Sequence, residues 1–214
     1  MSSPEVELRS VWHQLTSPAA RHDDLFEGLL ARHREPHRRY HTATHVMWVV
    51  RHVRQLLTES SAHAVASVDV DAVLLAALFH DAVYDPTRPD NEAISAALAM
   101  RAAEVLGWEP ARQATVERLV LATAGHAPMA PDEAVLVDAD LAILGAEPKD
   151  YAAYVLGVRA EYRHVPDDQW RIGRAMVLRR FLDADPLFHT EVMHRERGVR
   201  AKANLAAELA GLRP

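Results

Sequence analysis

The chain has 214 residues, 49% of them hydrophobic and 25% charged, a length and balance suited to one soluble core. A formal net charge of −6 argues against a broad nucleic-acid-binding face. With no cysteine, disulfides, thiolate metal sites and cysteine nucleophiles are excluded, so any metal site must use His, Asp, Glu, backbone oxygen or water.

The opening "MSSPEVELRS" carries acids and lacks the apolar stretch of a signal peptide. No apolar run approaches the ~20 residues of a membrane span, so a cytoplasmic protein without membrane contact is the expectation. Only 8 glycines, with abundant Ala, Leu and Arg, favour an all-α fold. No Gly/Ser- or Pro-rich linker divides residues 1–214, which predicts a single domain.

In chain order, Val6, Leu8, Val11, Trp12 and Leu15 form a helical stripe over 4–15. A second helix is predicted from a cap at Asp23 or Asp24, with Pro36 ending it. A third is expected over 39–57, holding His41 and His45 four residues apart. Asp69 or Asp71 caps the next, whose residues from Val73 to Phe79 are apolar on every side, as in a helix central to a core. Helices over 92–106 and 110–124 follow, the first capped by Asp90 or Asn91 and closed by Gly107. "AVLVDADLAILG" is short enough to read as strand or helix, and its helical surroundings favour helix. Helices over 148–164, 167–183 and 186–212 complete the chain. The four tryptophans are expected in the core or at its edge. His13, His22, His33, His52, His63, His164, His189 and His194 are expected mostly at the surface.

The chemistry concentrates in three places. His80–Asp81 ends the most apolar helix, and a carboxylate there needs a partner or a metal, because an unpaired buried charge is costly. His45 lies upstream, and "DADL" places Asp138 and Asp140 in a second apolar run. The ordered set His45, His80, Asp81 and Asp140 is an N/O donor set that suits Mn, Fe, Zn, Ni or Co better than Ca. Four ligands leave room on an octahedral ion for water and substrate.

This H…HD…D order on helices resembles the HD-domain superfamily of metal-dependent phosphohydrolases. "YHTATH", "HDAVYD", "DNEAISA", "DADLAILG", "VRAEY" and "GRAMVLRRFL" resemble, in order, the motifs of a bacterial HD subgroup of predicted hydrolases, over about residues 12–190. The resemblance implies a helical bundle with a metal-site core at about 39–145 and the helices of 148–212 packed on it. It makes His45, His80 and Asp81 metal ligands, with Asp140 preferred over Asp138 as the fourth. By likeness to the cyclic-nucleotide phosphodiesterases, His41 becomes a proton donor to the leaving group, pointing into the site one helical turn before His45. The alternative is that it caps a helix or bonds a carbonyl.

If the helix of His80 continues, Asp85 repeats the ligand face one turn on and is a further catalytic candidate, orienting water or holding a second metal. His126 is a candidate for a second metal or for substrate, against a histidine placed by the helix dipole. Asn91 and Glu92 are candidates to line the cleft, against a good helix start. Arg159 and Arg174 are candidate phosphate-binding groups, against ion pairing with Glu161, Asp167 or Asp168. The expected activity is hydrolysis of a nucleotide or other small phosphorylated metabolite through a metal-activated water, with a second metal or Mg allowed for. The alternatives are a di-iron HD oxygenase and a non-catalytic nucleotide-binding regulatory module. No nucleic-acid partner is expected, and a homodimer is compatible with the sequence.

Overall fold

The structure is a computed structural model, and it describes residues 3–17, 19–61 and 65–212. Among these residues there is no strand, so the fold is all-α. The helices are α1 (Pro4–Leu15), α2 (Ala20–His33), α3 (Ala43–Glu59), α4 (Val70–Phe79), α5 (Asn91–Val105), α6 (Pro110–Gly125), α7 (Pro131–Asp140), α8 (Pro148–Glu161), α9 (Asp167–Asp183) and α10 (Glu191–Gly211). A 3₁₀ turn, Leu141–Gly145, follows α7 directly.

Helix α4 occupies the centre. Every residue from Ala72 to Phe79 is buried, and α1, α3, α5, α6 and α7 pack around it. Asp69 caps it by accepting from the Ala72 amide, which settles the predicted choice between Asp69 and Asp71. Facing helices contribute Trp12, Phe26, Val46, Val50, Leu119 and Leu136, all fully buried. At about 25 cal/mol per Å² of apolar surface, these large side chains supply much of the drive to fold.

The C-terminal part packs through the 3₁₀ turn, which lies against α10, and α9 lies along α10. Gly145 makes the close approach feasible. A Cβ there would stand 2.5 Å from the Arg197 Cβ and 2.8 Å from the Arg197 carbonyl oxygen. The segment "AVLV" is helix, as part of α7.

Several local expectations change. Helix α2 starts at Ala20, so Asp23 sits in its first turn and is not its cap. His22 and His33 are buried, not superficial, while Trp48 stays 47% exposed. His63 lies outside the described residues. Helix α3 begins at Ala43, with the Thr42 side chain accepting from the Thr44 amide, so His41 precedes the helix. Helix α4 stops at Phe79, so His80 is its C-cap and "DAVYD" lies outside any helix. Both differences bear directly on the site. No helix of the described residues is long and apolar enough to cross a membrane.

Candidate metal centre

His45 comes from the first turns of α3, His80 and Asp81 from the end of α4, and Asp140 from the last residue of α7. The three helices pack against one another, which brings the four side chains to one point. The two Nε2 atoms of His45 and His80 stand 3.1 Å apart. The Asp81 Oδ2 lies 3.4 Å from the first and 3.2 Å from the second, and the Asp140 Oδ1 lies 3.2 and 3.5 Å from them. His45, His80 and Asp81 each present one donor atom, all within 4.8 Å of one another, so they could hold a metal ion.

The donor set fits a transition-metal ion. Ligands about 2.1 Å from a common ion lie roughly 3.0–3.4 Å apart at angles between 90° and tetrahedral, close to the spacings found. His80 Nδ1 lies 2.9 Å from the Ala77 carbonyl oxygen, so it carries the proton and leaves the Nε2 lone pair for the centre. Electrostatics point the same way. Burial disfavours charge on His45 and His80, yet Asp140 and Asp81 outweigh it and raise both histidines. Burial alone would also raise the two aspartates, but the neighbouring imidazoles hold Asp81 and Asp140 well below the carboxylate range. A site whose carboxylates demand positive charge this strongly suits a dication.

Asp138, two residues before Asp140, faces the opposite way. Its carboxylate is fully buried and accepts from the His189 and Thr190 amides and the Thr190 hydroxyl, so it holds the N-terminus of α10. Burial raises it despite those bonds. The alternation is helical: residues two apart on α7 point roughly 200° apart.

His41 does reach the site, though helical spacing does not put it there. Its position is set by Glu161 at the end of α8. Glu161 Oε1 accepts three successive backbone amides, from Arg39 at 2.7 Å, Tyr40 at 2.8 Å and His41 at 3.0 Å. Its Oε2 takes the His41 Nδ1 at 2.8 Å. Burial would raise this carboxyl, but the His41 and amide bonds hold it down to about 2. Tyr84 stacks on the His41 ring at 3.9 Å, and Tyr40 packs against His41, His45 and Tyr154. From the sequence Glu161 is legible only as an ion-pair partner for Arg159 or Arg174. Nothing local marks it as the partner of a histidine 120 residues away.

Arg38 supports the same turn from behind. Its buried guanidinium donates to the carbonyls of His41, Asp81 and Ala82, tying the residues before α3 to those after α4. No local pattern around Arg38 marks this role.

Asp85 stands away from the ligand face. Because α4 ends at Phe79, Asp85 does not repeat the ligand face; its Oδ1 instead accepts from the Thr87 amide and hydroxyl. The second-metal role, and with it the di-iron alternative, loses this ligand. Asn91 braces the same loop, accepting from the Asp85 amide and donating to the Asp85 carbonyl, while Glu92 stands in the first turn of α5.

Arg159 and Arg174 are also redirected. Arg159 donates to the Tyr162 and Val165 carbonyls and to Asp167. Arg174 is buried, pairs with Glu208 and donates to the Tyr154 hydroxyl. Both guanidinium groups are spent on holding α8, α9 and α10 together. His126 ends α6 in the left-handed conformation at φ 50°, and its Nε2 lies 3.4 Å from Asp140 Oδ2.

Above the centre opens a cavity of about 470 Å³, within the range of small-ligand sites. His41, Asp140 and His126 belong to its wall together with side chains of α8 and α9. Residues 42–150, just over half of the chain, match the family model of the HD domain. The chain belongs to the HD-domain family. His45, the His80–Asp81 pair at the end of α4 and Asp140 all fall inside the matched region. No curated protein and no solved structure matches the chain significantly.

Proposed function

We propose that this HD-domain protein is a metal-dependent phosphohydrolase for a small phosphorylated metabolite, with His45, His80, Asp81 and Asp140 holding a divalent transition metal. The observation that carries this reading is the convergence of two imidazoles and two carboxylates at one point, from which Asp140 reaches the wall of a ligand-sized cavity. When bound, such an ion supplies Lewis acidity toward a phosphoryl oxygen and lowers the pKa of water.

The chain's own residues supply the rest. Glu161 accepts from His41 Nδ1 and so fixes a proton there, which leaves Nε2 as the atom that holds or delivers a proton in the cavity. Tyr84 covers the face of the His41 ring, which limits its rotation. The leaving oxygen of an ester would take the proton from His41 Nε2, in the role that a general acid plays.

The test is metal analysis of protein purified without chelators, followed by phosphate release from a panel of nucleotides and sugar phosphates. Near-stoichiometric metal is expected, lost in His80→Ala and Asp81→Ala. His41→Ala should keep its metal and lose turnover by about 10²–10⁴-fold, the usual worth of a general acid. Full metal content in both the His80 and Asp81 variants would overturn the ligand assignment.

A further inference from the structure

The cavity wall has an unusual division of charge. Among the described residues that line it, the basic ones are Arg174 and Arg180, both from α9. Arg174 is neutralised by Glu208. Arg180 has no carboxylate partner among the described residues. Its Nη2 lies 3.3 Å from His126 Nδ1, and its guanidinium rests on the Phe181 ring at 5.1 Å. An arginine donates only, so His126 Nδ1 must accept, and the His126 proton then sits on Nε2, facing Asp140 Oδ2 at 3.4 Å. Arg180 thus stands one histidine away from the metal centre, with donors to spare.

Apart from His41, His126, Asp140 and Gln169, the rest of the wall is apolar and aromatic. Four of the chain's five tyrosines line the cavity, along with Trp170, Ile143 and Val177. Tyr84, Tyr162 and Trp170 are each only half-buried, so ring surface is available to a ligand. Trp170 and Tyr162 lie 5.4 Å apart, forming an aromatic side to the cavity. A ligand matching this wall carries one compact anionic group and an apolar, ring-bearing body.

We propose that Arg180 is the anion-binding residue of the site, and that the cavity selects a monophosphate ester of an apolar, ring-bearing alcohol. This rests on the hydrolase reading above. Arg180 grips the phosphate through its guanidinium fork, beside Asp140 and His126, while the body lies against Tyr162 and Trp170. One uncommitted arginine matches one phosphate; among the described residues of the wall the other arginine, Arg174, is already paired with Glu208.

The test uses the full-length, Mn²⁺-loaded protein and a matched pair of probes: 1-naphthylmethylphosphonate, which cannot be hydrolysed, and the neutral 1-naphthylmethanol. Binding is measured by calorimetry. Arg180→Gln should weaken the phosphonate about tenfold or more, the worth of a charge-assisted hydrogen bond, and leave the alcohol unchanged. Arg180→Lys keeps the charge without the fork and should fall between wild type and Gln. Equal phosphonate affinity in wild type and Arg180→Gln would overturn the assignment. So would equal weakening of both probes, or no binding of either by the wild-type protein. If the Arg180 effect holds while no ester in a panel releases phosphate, Arg180 stands and the hydrolase reading falls.

Discussion

Replacing Glu161 by glutamine tests the arrangement around His41 most sharply. The glutamine carbonyl can still accept the Arg39, Tyr40 and His41 amides, so the backbone before α3 keeps its anchor. The amide nitrogen, however, would meet the His41 Nδ1 proton donor to donor. The cheapest relief is for His41 to move its proton to Nε2, which reverses the tautomer and removes the carboxylate from the pair. Each of the four bonds falls from charge-assisted to neutral, a loss of about 0.5–1 kcal/mol apiece, or about 2–4 kcal/mol if they add. For a domain of this size that is roughly a 5–15 °C fall in Tm. Turnover should fall about 10²-fold or more, because the general acid is in the wrong state, with metal content unchanged. Nitrogen NMR of the His41 ring reads the tautomer directly. A variant that keeps the Nδ1–H tautomer and wild-type turnover would refute the reasoning. The pH dependence adds a check. The folded Glu161 carboxyl lies at about 2, below its ordinary 4.5, so its stabilising contribution is present above about 4.5 and is lost as pH falls through about 2. The stability gap between wild type and Glu161→Gln should therefore close in that acid window.

Two further predictions separate framework from chemistry. Asp138→Asn should cost about 1–3 kcal/mol in thermal or chemical unfolding, because it weakens the buried cap of α10, and should leave metal binding intact. Asp140→Asn should instead lose metal in a chelator competition assay with a smaller effect on unfolding. Gly145→Ala should destabilise by about 1–3 kcal/mol, since its Cβ meets Arg197 backbone and Cβ atoms that cannot rotate away, and differential scanning calorimetry should record the lower Tm.

Much of the architecture was legible because it is written in local patterns. The all-apolar run from Val73 to Phe79 marked α4 as central, and the bounds of α1 and α9 follow from periodicity and breakers. The residues that gather at the centre could be named from their order along the chain. The errors came where a helix was extended beyond its true end. Starting α3 at residue 39 placed His41 on the His45 face, and running α4 past Phe79 did the same for Asp85. Helix ends depend on which amides and carbonyls find partners, and here Thr42, Arg38 and Glu161 provide them through the folded structure.

Composition and spacing alone determined a cysteine-free, all-α chain with an N/O donor set and the HD pattern. Those properties reside in residue types and in periods of a few residues, which the chain carries before it folds. Tertiary structure decided the division of labour within the set. It turned Asp138 toward the start of α10 and Asp140 toward the histidines, clamped His41 to Glu161, and neutralised Arg174 while leaving Arg180 without a carboxylate among the described residues. An isolated side chain's chemistry is the same in either role. What assigns the role is which partners packing brings within about 3 Å, and in a bundle those partners lie tens to more than a hundred residues away.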